Sequence, residues 1–223
     1  MLNFFRIIAD MKDFYFNEIS IHGSTIHLCK YNDFEPTEFM EYLTDIEKQR
    51  LISFKHIRRR REFMATRILR HRAIGFQHIN YDHNGAPYIN NEGFISISHS
   101  TNEVGLAINP NFKIGLDLES PRENIRSLMH KFLSDQEKET YNTDDILEVC
   151  KIWSAKEAMY KLAGRKKIHF KSELLLNRDS DEFWSGKIIN HNHDLSVKLN
   201  IFENNNTIIS INTESIVRHN KNI

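Results

Sequence analysis

The alternation of hydrophobic and polar positions divides the chain into short strands and two long helices. Apolar and polar residues alternate in "TIHLCKY" (25–31) and "FISISHS" (94–100), a pattern typical of half-buried strands. The segments "FMATRILRHRAIG" (63–75) and "CKIWSAKEAMYKLAG" (150–164) are predicted helices, each stopping at a glycine suited to a left-handed C-cap. After the second helix come three further predicted strands, with "NHNH" and "ENNNT" as hairpin turns: "FWSGKIIN", "DLSVKLNIF" and "TIISINT".

A faint internal duplication organises these elements. The segment "LTDIEK" (43–48) resembles "LSDQEK" (133–138), which begins 90 residues later. The first long helix precedes the second by 89 residues. Both short segments fit the capping box S/T-x-x-E, in which a hydroxyl and a carboxylate satisfy the first backbone donors of a helix. The residues concerned are Thr44 with Glu47, and Ser134 with Glu137.

The duplication predicts the fold class and the domain organisation. We expect an α+β fold of two similar α/β subdomains, residues 1–110 and 111–223, related by a pseudo-twofold axis with the active site at their interface. The halves are not equivalent, because His27 and Cys29 stand where the second half has Asp117 and Glu119. One composite site is therefore expected rather than two.

Composition narrows the class of protein. The chain has 223 residues, of which 40% are hydrophobic, so it can build one large core or two small ones. Its 30 basic and 30 acidic residues cancel, so no global field draws it to nucleic acid or membrane. The two cysteines, Cys29 and Cys150, are predicted to be reduced core thiols. The N-terminus lacks the continuous apolar segment of a signal peptide, and we predict a cytoplasmic protein.

The stretch "KIGLDLES" (113–120) holds the first candidate chemistry. On a strand, its two leucines point to one face and Asp117 and Glu119 to the other, where the paired carboxylates repel unless a cation relieves them. On the second long helix, Glu157 and Lys161 share a stripe with Trp153. These two residues could form an ordinary surface ion pair. Together with the paired acids they would instead form a hard-oxygen site suited to Mg²⁺ and a phosphate substrate.

Two of these segments carry a resemblance to a known family. "IGLDLE", followed about 40 residues later by "WSAKEAMYK" and preceded by "SISHS", resembles the paired signature of the 4′-phosphopantetheinyl transferases. The likeness covers residues 58 to 170 and is to the long, monomeric type that activates peptide and polyketide synthetases. It implies Mg²⁺-dependent transfer of phosphopantetheine from coenzyme A to a serine of an acyl or peptidyl carrier protein, with release of adenosine 3′,5′-bisphosphate.

The resemblance also implies roles for residues in the second half of the chain. Asp117, Glu119 and Glu157 match the Mg²⁺ ligands of the family. Lys161 matches a contact to a coenzyme A phosphate, and Lys156 is expected to support the metal and phosphate cluster. Glu137 stands where the long type has a candidate general base for the serine hydroxyl. The capping box is the alternative role for Glu137, and a metal-bound water could serve as base instead.

Contacts to coenzyme A are implied mainly in the first half. Ser98 and His99 of "SISHS" match residues beside the nucleotide, and Arg61 is placed by position at the 3′-phosphate, with Arg67 as a second candidate. In "NGAPY" (84–88) the family usually has Gly-Lys-Pro. Gly85 and Pro87 fit that pattern, but Ala86 replaces the lysine, so one cationic contact is expected to be missing.

Two other interpretations compete with a transferase. One is a non-catalytic coenzyme A or carrier-protein binding module of the same fold, and the other is a nucleic-acid-binding protein that uses the basic run 55–72. That run has an apolar side and the net charge is zero, so we predict that neither nucleic acid nor a membrane is a partner. A monomer suffices for one composite site, and the C-terminal "SIVRHNKNI" predicts a polar tail.

Overall fold

The computed structural model describes residues 11–90, 93–165, 167–190 and 193–221, and mixes helices and sheets in an α+β fold. The strands of the described residues are β1 (Phe14–Ile21), β2 (Ser24–Tyr31), β3 (Asn80–Tyr81), β4 (Pro87–Tyr88), β5 (Phe94–Ser100), β6 (Glu103–Asn109), β7 (Leu116–Glu119), β8 (Leu174–Arg178), β9 (Phe183–Ile188), β10 (His193–Asn204), β11 (Thr207–Asn212) and β12 (Val217–Asn220). The α-helices are α1 (Asp45–Ser53), α2 (Ile57–Ile74), α3 (Met129–Phe132), α4 (Asp135–Thr140), α5 (Ile146–Leu162) and α6 (Phe170–Glu173). Two 3₁₀ helices complete the list: Pro36–Tyr42 and Glu123–Leu128.

Two antiparallel sheets divide the chain. The first has the strand order β1-β2-β6-β5, and a small hairpin of β3 and β4 lies outside it. The second has the order β7-β11-β10-β9-β8, and β12 pairs with the beginning of β10. Asn205 and Asn206, both at positive φ, form the two-residue turn between β10 and β11, as "ENNNT" predicts.

The same succession of elements occurs in both halves. A strand (β2 or β7) leads to a 3₁₀ helix, a capped short helix (α1 or α4), a long helix (α2 or α5) and then a hairpin. The last strand of that hairpin, β6 or β11, pairs with the strand that opens the succession, β2 or β7. Both predicted capping boxes are present. The division into two subdomains and the pseudo-twofold axis between them stay predictions.

Three apolar clusters hold the layers together. Buried residues of α2 pack against one face of the first sheet, and those of α5 pack against one face of the second. A third cluster joins the remaining faces of the two sheets, contributed by Ile26, Leu28, Ala107, Ile114, Leu116, Leu118, Ile209 and Ile211. Alternation along each strand explains this arrangement, since neighbouring residues such as Ile208 and Ile209 serve different clusters.

Some elements differ from the prediction. Strands β1, β6 and β8 carried no recognised signal, and the polar tail prediction is wrong for Val217–Asn220, which form β12. Residues 1–10, on which the signal-peptide argument depended, and residues 191–192 of "NHNH" lie outside the described residues. Among the described helices, none combines the length and the apolarity that crossing a membrane requires.

Candidate active site

Strand β7 and helix α5 bring the three predicted acids to one cleft of about 590 Å³. Asp117 and Glu119 lie on β7 and are each 6% exposed, while Glu157 projects from α5. Gly115, just before β7, permits this close approach, because a Cβ there would lie 2.3 Å from the carbonyl oxygen of Ala158 on α5. The glycine of "IGLDLE" is therefore required by packing.

Serine hydroxyls join the two sheets beside these acids. Ser96 Oγ accepts the backbone N–H of Leu116 at 2.9 Å, and Ser98 Oγ accepts that of Leu118 at 3.0 Å. Strands β5 and β7 each end the strand order of their own sheet. The hydroxyls therefore satisfy backbone donors that a neighbouring strand would otherwise pair.

Lys161 is tied to Asp117 at the centre of the cleft. Its Nζ donates to the carbonyl oxygen of Leu116 at 2.7 Å and to Asp117 Oδ1 at 2.9 Å. Ser98 Oγ lies 2.9 Å from both Nζ and Asp117 Oδ1, and it donates to the carboxylate. Asp117 Oδ2 is buried without a hydrogen-bond partner in the described part of the chain. An unsatisfied buried oxygen costs about 1–3 kcal/mol, so this atom is available to a cation.

Burial and mutual repulsion perturb the other two acids. Burial raises the pKa of Glu119 to about 7, and the charges of Asp117 and Glu157 act in the same direction. Burial likewise raises the pKa of Glu157 to about 7, with Asp117 adding to the effect. The cationic Arg122, which donates to Glu119 at 2.5 Å, opposes the shift of that residue. The acids around Asp117 therefore repel one another, and a bound cation would relieve that repulsion.

The donor set fits a hard divalent cation such as Mg²⁺. Carboxylate oxygens are its preferred protein ligands, and Asp117 Oδ2 is an unpartnered one. Within residues 11–90, 93–165, 167–190 and 193–221, however, no three His, Cys, Asp or Glu side chains already converge in a metal-holding group. Lys161 already donates to one oxygen of Asp117, and Arg122 donates to one oxygen of Glu119. A bound cation would have to share these carboxylates with them.

The opposite wall of the cleft is basic and comes from the start of α2. Arg58 and Arg59 donate to the buried Glu62 at 3.0 and 2.9 Å. Arg59 also lies 3.1 Å from Nε2 of His99 on β5. Burial lowers the pKa of His99, so the ring is neutral and accepts from Arg59 through Nε2. Ser98 and His99 thus both line the cleft, and their predicted contact with the nucleotide stays a prediction.

The turn between β3 and β4 closes another part of the same wall. Gly85, at φ +79°, and Pro87 both line the cleft. The carboxylate of Asp82 fixes this turn by accepting the backbone N–H of Asn84 and of Ala86 at 2.8 and 2.9 Å. A separate cavity of about 740 Å³, between β1, β2 and the end of α2, is lined by none of the predicted site residues.

Arg61 lies outside the cleft. Its Nε donates to the carbonyl oxygen of Phe34 at 2.8 Å, and the guanidinium pairs with Asp33. A helix turns about 100° per residue, so Arg59 and Arg61 point to opposite sides of α2. The second candidate, Arg67, does line the cleft, where it donates to Glu47 at 2.8 Å.

Glu137 and Lys156 form a buried pair that also lies outside the cleft. Lys156 Nζ donates to Glu137 Oε2 at 2.7 Å and to the carbonyl oxygens of Phe132 and Phe170 at 2.6 and 3.0 Å. Glu137 also accepts the backbone N–H of Ser134, as the capping box requires. Lys156 is fully buried, and burial lowers its pKa. The structure therefore does not bring the predicted base and the predicted supporting lysine to the acids.

The first half contains a counterpart of this pair. Glu47, also in a capping box, accepts from Arg67 and Arg70 of the long helix α2 at 2.8 and 2.9 Å. Arg67 stands 89 residues before Lys156, at the offset of the duplicated helices. Because the first half lacks the acids of β7, the counterpart favours a structural role for the pair in both halves.

Several cleft residues were missed by the sequence interpretation. They are Arg50, Arg58, Arg59, Arg122 and Arg165. The position of Trp153 next to Glu119 was missed as well. Trp153 lies close enough to Glu119 to lower the pKa of that carboxyl. Its place in the stripe with Glu157 and Lys161 was a signal for that contact. The run of four arginines gave no such signal, since it covers every side of the helix.

Comparison with known protein families agrees with this geometry. Residues 113–210 match the model of the 4′-phosphopantetheinyl transferase superfamily. This part of the chain belongs to that superfamily. No curated protein sequence matches the chain. Membership identifies a transferase and connects the chain with phosphopantetheine transfer in general.

The superfamily match covers one side of the cleft. It begins at Lys113, includes Asp117, Glu119, Glu157 and Lys161, and ends within β11. Ser98, His99 and the arginines of α2 precede the matched region. The long, monomeric type suggested by the sequence therefore depends on the arrangement of the first half, which the superfamily match does not include.

Proposed function

We propose that this protein transfers the 4′-phosphopantetheine group of coenzyme A to a serine of an acyl or peptidyl carrier protein, with Mg²⁺ as cofactor. It would be a member of the long type that works as a monomer. In this proposal residues 1–110 supply the contacts to the nucleotide, and residues 111–223 supply the acids and Lys161. The active site then lies at the interface of the two subdomains.

The observation that carries the proposal is the pairing of two walls in one cleft. An acidic wall around Asp117 faces a basic wall that begins with Arg58 and Arg59, and each wall comes from a different sheet and helix. A substrate with a diphosphate and a further phosphate matches such a cleft, because arginines bind phosphate oxygens through several donors at once. Coenzyme A has these phosphates.

The chain's own residues position the reacting groups. Mg²⁺, held by Asp117, Glu119 and Glu157, would polarise the phosphate oxygens of coenzyme A as a Lewis acid. Lys161 would neutralise charge on the same diphosphate, and Ser98 keeps Asp117 and Lys161 in place. The serine oxygen of the carrier then bonds to the β-phosphorus, and the bond to the bridging oxygen breaks. Adenosine 3′,5′-bisphosphate leaves with the electron pair of that bond.

The identity of the base depends on Glu137. Both of its carboxylate oxygens accept hydrogen bonds inside the protein, from Leu176, Ser134 and Lys156. To reach a substrate, Glu137 would have to break the buried pair with Lys156. We therefore favour a structural role for Glu137 and propose that another group accepts the proton of the serine.

An intact-mass assay tests the function directly. Purified protein is mixed with coenzyme A, Mg²⁺ and a small panel of apo carrier proteins, with an EDTA control. We expect one carrier or more to gain the mass of a single phosphopantetheine group, and we expect EDTA to abolish the gain. Unchanged masses on every carrier, with binding of coenzyme A intact, would support the non-catalytic binding module instead.

The positions of Arg59 and Arg61 give a matched prediction for coenzyme A binding. Arg59→Ala removes a cleft guanidinium, so we expect the KM for coenzyme A to rise about tenfold, the loss typical of one charge-assisted hydrogen bond. Arg61→Ala removes an arginine that binds Phe34 and Asp33 outside the cleft. Its KM should stay within about twofold of the wild-type value. Steady-state kinetics with varied coenzyme A measure both, and the reverse ranking would contradict the assignment.

A further inference from the structure

Arg165 is fixed at the end of α5 by an unusual backbone conformation. Gly164 and Arg165 both have positive φ, +81° and +55°, which turns the chain back immediately after the helix. The backbone N–H of Arg165 donates to the carbonyl oxygen of Tyr160 at 3.1 Å. The hydroxyl of Tyr160 donates to the carbonyl oxygen of Arg165 at 3.3 Å. A residue other than glycine is uncommon at such a φ. The two hydrogen bonds with Tyr160 hold Arg165 in this conformation, in which its side chain enters the cleft.

Among the described residues, Arg165 differs from the other cations of the cleft because its guanidinium has no partner of its own. Lys161 and Arg122 are paired with Asp117 and Glu119, and the arginines of α2 that line the cleft are paired with Glu62 or Glu47. Arg50 lies over the ring of Tyr81 at 4.7 Å. The Arg165 side chain forms neither an ion pair nor a hydrogen bond with any residue that the structure describes, and it acts on Glu157 only at longer range.

Arg165 and Lys161 also line a recess of about 170 Å³ that continues from the cleft. Ala86 and Pro87 of the β3–β4 turn form another wall of that recess. Ala86 contributes only a methyl group there, so that turn position supplies no charge. Lys113 and Asp82 line the recess as well. Its three cations outnumber its one carboxylate, so the recess is a favourable place for a phosphate group.

We propose that Arg165 binds the diphosphate of coenzyme A together with Lys161. The inference depends on the proposed function for the identity of the ligand, and it assigns a substrate contact to a residue beyond the acids and Lys161. Arg165 then completes the charge compensation that Lys161, already bonded to Asp117, supplies in part.

The backbone of Arg165 offers an unusually clean test. Arg165→Gly removes the guanidinium and places at φ +55° the residue best suited to it, so the fold should be kept. Arg165→Lys keeps the charge but loses the planar fork of donors. Arg218→Ala, on β12 and outside the cleft, removes one positive charge as a control.

Calorimetric titrations in Mg²⁺ would measure binding of coenzyme A, dephospho-coenzyme A and inorganic pyrophosphate. We expect Arg165→Gly to weaken all three by about tenfold, Arg165→Lys to recover part of the loss, and Arg218→Ala to match the wild type, with melting temperatures unchanged. Wild-type affinities for Arg165→Gly would overturn the proposal. A loss confined to coenzyme A would overturn it too, since it would place Arg165 at the 3′-phosphate.

The pyrophosphate titration separates this inference from the proposed function. If the wild type binds pyrophosphate through Arg165 but binds neither form of coenzyme A, the coenzyme A assignment fails while the anion site stands. If the wild type binds and transfers from coenzyme A, and Arg165→Gly changes no affinity, the function stands and the role of Arg165 fails.

Discussion

We expect Asp117→Ala to lower the rate of phosphopantetheine transfer by about a thousandfold, because a metal Lewis acid contributes several kcal/mol to phosphoryl-type transfer. Asp117 holds the centre of the cleft. Its Oδ1 accepts from Lys161 and Ser98, while Oδ2 is the buried oxygen without a partner. Removing the carboxylate leaves Lys161 without its ion-pair partner and takes away the oxygen best placed for Mg²⁺. Added Mg²⁺ should therefore not restore the rate.

The measurement is the initial rate of carrier modification across a series of Mg²⁺ concentrations. Asp194→Ala is the matched control, since Asp194 is also an ion-paired, mostly buried aspartate, held by Lys187 and Lys221 outside the cleft. It should keep transfer near the wild-type rate per folded molecule. Normal turnover by Asp117→Ala would remove the basis of the metal assignment.

The sequence could predict the acidic wall because periodicity fixes it. A strand places Asp117 and Glu119 on the same side, and a helix places Trp153, Glu157 and Lys161 in one stripe, whatever the rest of the fold does. The structure brings all five to the cleft. The duplicated order of elements could likewise be predicted from the two capping boxes and the two long helices.

The sequence could not predict which residues of a helix face the cleft when they lie in a run of similar residues. Arg58 to Arg61 are four consecutive arginines, and which of them face the cleft depends on how Met64 and Ile68 pack into the core. The same limit applies to "KE" in the second helix. Lys156 and Glu157 are about 100° apart, so one enters the core and the other the cleft.

Strand β6 was missed for a different reason. Its sequence "EVGLAIN" lacks alternation because both of its faces are covered, one by α2 and the other by β7. Gly105 in its centre reads as a strand breaker, but a Cβ there would lie 2.9 Å from the side chain of Leu118. The contact between the two sheets therefore explains the glycine, and no local pattern could reveal that contact.

The second large effect that we expect is on stability and concerns Glu137 and Lys156. Replacing Lys156 with methionine should lower the free energy of unfolding by about 3–5 kcal/mol, the usual result of breaking a buried ion pair from one side. Lys156 Nζ is fully buried, and its loss leaves Glu137 and two backbone carbonyl groups without their donor. Chemical denaturation measures the change.

A double-mutant cycle tests whether the two residues act as a pair. Glu137→Gln alone should also destabilise the protein, because Lys156 then keeps a buried charge without a carboxylate. The double variant, Glu137→Gln with Lys156→Met, should lose less than the sum of the two single changes, since neither charge remains. Additive losses would contradict the pairing.

The same variants decide between the two roles of Glu137. If the carboxylate is structural, Glu137→Gln at a temperature where it is folded should keep a kcat within a few-fold of the wild type, because the amide changes nothing in the cleft. A general base contributes about a hundredfold or more to a rate, so a loss of that size per folded molecule would restore Glu137 as the base. The counterpart Glu47 makes the structural outcome the expected one, since it is bonded in the same way by Arg67 and Arg70 in a half without the acids of β7. Stability and kcat, measured on one variant, therefore separate the capping box from the chemistry.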